Sequence, residues 1–444
     1  MLTRAIAACL IAIGMAQPVL PQTSPDIQRV LDRLQQLEEQ NRQIVDEIRA
    51  LRSDLLQRSE LKPQETSETP VSSAPTLSER MDVQESRTAE LAQSKVETSQ
   101  RLPISLTGML LFNAFSNGKF GGPGQYPTQA SFNRGDATSG ASFRQTVLGL
   151  KFNGPRLPGG GKVSGSIYMD FFAGSESPFN NILHLRIATI DLAWKNTTIS
   201  VGQDKPLISP REPSSLAQVG VSPLTGAGNL WDWQPQVRIE QRFHLSENSG
   251  LTAQGAVYET AEFYPQTLPL VYAGTIERAR PGYEGRLEFF SGTERRRFEI
   301  APGFHFSTTH VAEVSIPSHI VSLDGLARPF PILEITGEYF NGRNVSVLGA
   351  RGGFNLLPND VGFPVHARGG WGQIALFPTP RLSLHIYAGE ESDRARDLPD
   401  GTAQRNFVYA GNLMYKLAPN VIAALGGAGA DAIPRIDRTI EQPL

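Results

Sequence analysis

The stretch PQVRIEQRF, Pro235 to Phe243, sets Val237, Ile239 and Phe243 on one side of an extended backbone and Gln236, Arg238, Glu240 and Arg242 on the other. Successive side chains of a strand point to opposite faces, so this alternation gives the strand one face suited to hydrocarbon and one suited to water. Outward from it the same split recurs. Val163, Ile167, Met169 and Phe171 oppose Ser164, Ser166, Tyr168 and Asp170. Leu333, Ile335 and Tyr339 oppose Glu334, Thr336 and Glu338, and Leu382, Leu384 and Ile386 oppose Ser383, His385 and Tyr387. From Leu102 to the end, such runs are separated by clusters of Gly, Pro, Asn and Asp, the punctuation of strands joined by turns.

Two all-β architectures alternate in this way, a soluble sandwich and a transmembrane antiparallel barrel, and the connection lengths discriminate between them. Outer-membrane barrels join strands by short turns on one rim and long loops on the other. Here short links near Gly154–Gly161, Lys195–Asn196, Leu245–Gly250, Pro378–Pro380 and Pro419–Asn420 alternate with long ones near Ser116–Ala141, Asp204–Leu230, Asn341–His366 and Ser392–Gln404. Strands of about ten residues would then number roughly fifteen, from ISLTGMLLFNA to VIAALGGAGA, with the least certain boundaries at residues 259–297. Single-chain bacterial barrels have even strand numbers. The count therefore predicts a sixteenth, closing strand that the sequence lacks, with AIPRIDRTIEQPL as a last external loop; a miscount within 259–297 is the alternative.

The N-terminal part has another texture. Residues 1–16 place Arg4 before an apolar run from Ala5 to Ile13 and then Gly14-Met15-Ala16, the layout of a secretory signal peptide. The run is too short for a spanning helix, which needs about 20 residues. Cleavage there removes Cys9, the one cysteine of the chain, and with it any disulfide or thiol-based metal site; a lipoprotein acylation box at Cys9 would leave almost no apolar stretch before it. Residues 25–57 carry a heptad, with Ile27, Leu34, Asn41, Ile48 and Leu55 at a and Val30, Leu37, Ile44 and Leu51 at d. That pattern predicts a periplasmic α-helical coiled coil that self-associates, because the amide of Asn41 is best satisfied by its own copy in register; the a and d residues do not decide between two and three strands. Residues 58–77 are polar and proline-punctuated, as in a flexible linker, and 78–101 form a weakly amphipathic helical junction through Met81, Leu91 and Val96. Nothing after the signal is apolar enough for a membrane-spanning helix, so insertion must be as a barrel. A net charge of −3 leaves no nucleic-acid footprint.

The helix-to-barrel junction KVETSQRLPISLTGMLLFNAF (Lys95–Phe115), KVSGSIYMDFFAG (Lys162–Gly174), LRIATIDLAW (Leu185–Trp194) and VGQDKPLISPREP (Val201–Pro213), together with the order of coil and barrel, resemble the DcaP-like trimeric porins of Gram-negative bacteria. The resemblance covers most of the mature chain, and the absent final strand is its chief departure. It implies a coiled coil followed by a 16-stranded outer-membrane barrel, a trimer, and passive diffusion of small hydrophilic solutes, in particular organic anions such as dicarboxylates. It also implies that the loop after the fifth strand, here Asp204–Leu230, folds into the pore.

That loop carries Pro206, Pro210, Pro213 and Pro223, which restrict its backbone, and Lys205, Arg211 and Glu212 as charged tips. Strand parity puts Lys151, Arg238, Glu240, Arg242 and Arg286 on the water side, with Glu284, Glu288, Glu334 and Glu338; Arg186 lies on a strand whose facing the pattern does not fix. Lys151, Arg186, Lys205, Arg211, Arg238, Glu240, Arg242 and Arg286 are thus the candidate pore-lining residues, since rings of Arg and Lys favour anions and rings of Asp and Glu favour cations. Paired structural charges are the competing role. Phe152, Trp194, Phe243, Tyr339, Phe377 and Tyr415 are candidates for interfacial girdles.

The seven histidines occur singly, with neither an HExxH motif nor paired metal spacing, and no enzymatic, metal or cofactor site is expected. GPRLPGGGK (Gly154–Lys162) lacks the Ser or Thr that follows the lysine of a phosphate loop and sits where a strand-to-strand turn belongs. The expected partners are a homo-oligomer, outer-membrane lipid and small solutes. The rival functions are a secreted β-sandwich binding protein with a coiled-coil oligomeriser and a barrel with an enzymatic or adhesive role.

Overall fold

The computed structural model describes residues 103–122, 125–173, 181–259, 281–293, 296–311, 314–357 and 361–435. The signal segment, the coiled-coil positions Ile27 to Leu55, the linker, the junction helix and residues 436–444 lie outside the described residues.

Nineteen strands are present among them: β1 (Ile104–Met109), β2 (Asn113–Asn117), β3 (Thr138–Ser142), β4 (Val147–Arg156), β5 (Lys162–Ala173), β6 (Ile182–Ala193), β7 (Thr197–Asp204), β8 (Gln234–Ser246), β9 (Ser249–Glu259), β10 (Pro281–Thr293), β11 (Arg296–Val311), β12 (Val314–Phe330), β13 (Leu333–Arg343), β14 (Phe354–Leu357), β15 (Val361–Pro364), β16 (His366–Thr379), β17 (Leu382–Asp393), β18 (Ala403–Ala418) and β19 (Val421–Pro434). Fifteen form one antiparallel meander, β1-β4-β5-β6-β7-β8-β9-β10-β11-β12-β13-β16-β17-β18-β19; β2 with β3 and β14 with β15 are small hairpins in its long connections. The strand count read from the sequence is the one found. Among the described residues β1 and β19 are not joined to each other, so the sheet is not the closed sixteen-stranded barrel that the resemblance implied. The last strand runs to Pro434, taking in the Ala432-Ile433-Pro434 that begins the expected external loop.

Every second connection is short: 157–161, 194–196, 247–248, 331–332, 380–381 and 419–420. GPRLPGGGK is one of these turns, with Gly159 and Gly160 at φ of 73° and 78° that a side chain would strain. On the other rim the long links are 110–146, 205–233, 344–365 and 394–402.

A single sheet of fifteen strands has no facing sheet, which removes the sandwich alternative. Its buried apolar residues gather instead where loops lie against one of its faces. Ile208 and Leu230 of the 205–233 loop and Val345, Val347 and Leu348 of the 344–365 loop pack with Tyr258, Ile320 and Phe340 of the strands. Leu224 and Ala227 pack with Trp371, Tyr387 and Val408. The opposite face is apolar and exposed, with Val237 and Phe243 each 51% exposed and Ile386 64%. Water would penalise such a surface and hydrocarbon would accept it. Phe152, Phe243, Tyr339 and Tyr415 lie on that face as the girdle expectation required. Trp194 is instead tied to a turn through its indole N–H, which donates to the Pro158 carbonyl at 3.0 Å. Phe377, beyond a register shift in β16, turns inward, its ring edge-on to His385 at 6.0 Å.

Candidate functional site

The loop 205–233 follows the fifth strand of the sheet and lies against its inner face, as expected, although it extends three residues beyond Leu230. Its backbone is held by side chains that parity sends inward from far around the sheet. Glu284 of β10 accepts from the Leu207 N–H at 2.5 Å, and the Ser209 hydroxyl donates to Glu338 of β13 at 2.6 Å. Gln373 of β16 accepts from the Ser214 N–H at 2.7 Å, and Asn412 of β18 donates to the Ser214 carbonyl at 2.8 Å. On the other side Gln145, just before β4, donates to the Ala217 carbonyl and accepts from the N–H groups of Val219 and Gly220. One loop touched by both the start of β4 and the middle of β18 requires the sheet to curl around it. Gly228, at φ 97°, lies so close to the Gly370 backbone that a Cβ there would come 2.3 Å from its carbonyl oxygen.

Charge at the site is arranged in layers. Arg286 of β10 is 5% exposed and forks onto Asp324 of β12, with Nε at 2.7 Å and Nη2 at 2.8 Å from the two carboxylate oxygens, and reaches Glu288 at 2.8 Å. Arg211 of the loop meets the same acidic wall: Glu299 at 2.5 Å, Asp324 at 3.1 Å and Glu288 at 3.7 Å. Lys205 pairs with Glu212 at 2.8 Å. Burial alone would raise the Glu212 carboxyl, but Lys205 and the Ser222 hydroxyl outweigh it and hold it below the usual glutamate range. Lys205, Arg211 and Glu212, expected as charged tips, are therefore anchors, because a loop folded inward presents its charges to the wall rather than to solvent.

Arg238 of β8 donates to the Lys205 carbonyl at 3.0 Å and lies 3.4 Å from Asp204, so it braces the start of the loop. Glu240 accepts from Gln254 at 2.8 Å and lies 3.9 Å from Arg242. Arg242 is 46% exposed by side chain and stacks over Phe290 at 5.2 Å. Lys151 is exposed on the inner face of β4, opposite Ser166 of β5 and Ser105 of β1, with no ion-pair partner among the described residues.

The facing of Arg186 is decided by a bulge that periodicity could not reveal. Tyr168 pairs with Ile187 but Met169 pairs with Leu185, leaving Arg186 as the extra residue of β6. It points inward, 3.6 Å from the fully buried Asp170 and 4.8 Å over the Trp233 ring. His184 joins it, 3.3 Å from Asp170 and edge-on to Trp233. Neither Trp233, Asp170 nor Gln145 is among the sequence-derived site residues. Parity alone marks Asp170 as inward, whereas the roles of Gln145 and Trp233 follow from the path of the loop. Asp232, beside this cluster and outside the strands, is pushed up to about 6, burial outweighing the hydrogen bonds from Trp233 and Gln234.

No family model matches the sequence, and no curated protein matches it. The fold, however, matches that of the outer membrane channel DcaP of Acinetobacter baumannii, with a TM-score of 0.60 at 14% identity over 74% of this chain and 91% of that one. The chain has the porin fold. An anion-selective porin from Comamonas acidovorans shares it at a TM-score of 0.50, also at 14% identity, over 74% of this chain and 89% of that one. At such identity the likeness concerns the fold. In this chain Lys205 and Arg238 each meet a carboxylate of their own, Arg211 and Arg286 share Asp324 and Glu288, and Lys151 has no ion-pair partner among the described residues. Among the described residues no group of three or more His, Cys, Asp or Glu is disposed to hold a metal ion.

Proposed function

We propose that this chain is a passive diffusion channel of the Gram-negative outer membrane, admitting small hydrophilic solutes with a preference for organic anions. The inward loop carries this proposal. It lies against the inner face of the sheet while the outer face is apolar, and a polar interior behind an apolar exterior is what a diffusion pore requires. The anion preference rests on which charges stay accessible. The carboxylates of Glu299 and Asp324 are 4% and 0% exposed and are held by Arg211 and Arg286, whereas Lys151 and Arg242 keep their charges exposed on the inner face. The anion-selective porin that shares the fold points the same way. The heptad of residues 27–55 supplies an oligomerisation segment for a homo-oligomer, as a periplasmic trimer, behind a cleaved signal peptide at 1–16. No step consumes energy or needs a cofactor.

Reconstitution into planar bilayers under a potassium chloride gradient tests both parts. The expected result is stepwise ohmic conductance with a reversal potential of the sign set by chloride. Absence of conductance from folded protein would refute the channel, and a potassium-signed potential would refute the anion preference.

A further inference from the structure

The outer face carries a band of cations at one depth. On β13 the outward residues run Ile335, Gly337, Tyr339, Asn341 and Arg343, so the face turns from apolar to cationic at the end bearing the long loops. Neighbouring strands change at the same level. His319 of β12 faces Arg343 across the ladder and hydrogen-bonds it at 2.9 Å. Arg368 of β16 faces Asn341; Ser392 of β17 then faces Arg368, and Arg405 of β18 faces Ser392. Below the band lie the exposed Tyr339 and Tyr409, and Phe306 stands at band level opposite His319, aromatic residues of the kind that mark the boundary between hydrocarbon and headgroups. Each strand residue advances about 3.3 Å, which puts Arg343 about 13 Å beyond Tyr339 along the strand, at headgroup depth.

These arginines differ from those inside. Arg211, Arg238, Arg286 and Arg351 each have a carboxylate partner on the inner face. On the outer face Arg405 pairs with Glu390 at 2.6 Å, but neither Arg343 nor Arg368 has a carboxylate partner among the described residues. Their positions are diagonal neighbours across the β13–β16 ladder, about 7–8 Å apart, within reach of one tetrahedral anion. Guanidinium forks match phosphate oxygens, and Asn341, Ser392 and His319 add hydrogen-bonding groups around them.

We propose that Arg343 and Arg368, flanked by His319, Asn341 and Ser392, form a binding site for the phosphorylated headgroup of an anionic lipid in the outer leaflet. This rests on the membrane-barrel reading given above. Acyl chains would descend over the outward row of Gly325, Gly337, Gly372 and Ala388, where the wall offers no side chain longer than a methyl group.

The test uses the full-length protein in detergent, with lipid A bearing both phosphates and with the same lipid dephosphorylated, followed by native mass spectrometry. Phosphorylated lipid A should stay bound to the wild type and the dephosphorylated form should not. Arg343→Gln with Arg368→Gln should lower retention at least about tenfold, two charge-assisted contacts being lost. The Arg343→Lys, Arg368→Lys pair should recover part of it, and bilayer conductance should be unchanged in both. Equal retention by the Gln pair, displacement of the lipid by millimolar inorganic phosphate, or dissociation of the oligomer in place of lipid loss would overturn the proposal. Failure of the wild type to conduct, with lipid retention intact, would instead count against the channel.

Discussion

Nε of Arg211, in the inward loop, lies 3.1 Å from Oδ1 of Asp324 on β12, and the same guanidinium donates to Glu299 at 2.5 Å. Asp324 and Glu299 are buried, so the loop cation neutralises wall carboxylates that water cannot reach. Breaking a buried pair by removing one partner leaves an uncompensated charge. Arg211→Ala should therefore destabilise the folded channel by about 3 kcal/mol, the low end for such a loss because Arg286 still serves Asp324. It should also shift the reversal potential toward cations. Urea midpoints in detergent and a salt-gradient recording on the same preparation check both, and an unchanged midpoint would show that the loop is not fastened through this residue.

Among the sequence-derived candidates, Lys151 and Arg242 are the exposed inner cations, whereas Arg238 is engaged with Asp204 and the Lys205 carbonyl. Neutralising Lys151 and Arg242 together, as glutamines, should lower chloride preference while leaving stability within about 0.5 kcal/mol, as for exposed positions without tight partners. Arg238→Gln should do the reverse, loosening the start of the loop with a smaller effect on selectivity. If the Arg238 variant alone altered the reversal potential, the division between accessible and bracing cations drawn from the structure would be wrong.

Much of this was legible in the sequence because a period of two needs no tertiary information. Val237 against Arg238 and Tyr339 against Glu338 could be assigned to opposite faces without knowing what either face meets, and the alternation of short and long links followed from Gly, Pro and Asn. Arg186 shows where that stops, since one extra residue in β6 shifts the facing and leaves no mark on a periodic pattern. The partners of Lys205, Arg211 and Glu212 were hidden for a different reason. Arg211 meets a residue 88 positions away, and the Ser214 backbone meets one 159 away, so those contacts depend on how the whole sheet curls. Parity could place Arg286 inside but could not show that Asp324 and Glu288 hold it.

Asp232 gives the interior a pH dependence. Its folded pKa of about 6 stands above the ordinary aspartate value of 3.8, so the folded protein binds this proton more tightly than the unfolded chain does. The associated stabilisation is present at acidic pH and is lost as pH rises from about 4 through 6. Asp232→Asn should accordingly match the wild type near pH 4 and exceed it in thermal midpoint at pH 7.5. In recordings, acidification from pH 7.5 to pH 5 removes one negative charge beside Arg186 and Trp233, so chloride preference should rise in the wild type and rise less in the variant. Parallel titrations of the two proteins would show that this carboxyl is not responsible.

Gly228 limits how closely the loop can approach the wall. At φ 97° it occupies backbone space unfavourable to any side chain, and a Cβ would sit 2.3 Å from the Gly370 carbonyl oxygen and 2.6 Å from its nitrogen. The adjacent Ala227 carbonyl meets Gly389 at a distance that likewise excludes a Cβ. Gly228→Ala therefore forces the loop off β16 and β17, which should cost about 1–3 kcal/mol as overpacking against backbone. The displaced segment moves toward the axis or out of the pore, and the two directions are distinguishable: an inward shift lowers single-channel conductance, an outward one raises it. Because Gly226 and Asn406 tie the neighbouring turn to β18 at 2.8 Å, the outward route is blocked on one side, and lower conductance with a reduced melting temperature is the expected result. Wild-type conductance in a folded Gly228→Ala channel would mean that the loop does not lie against the wall at this point.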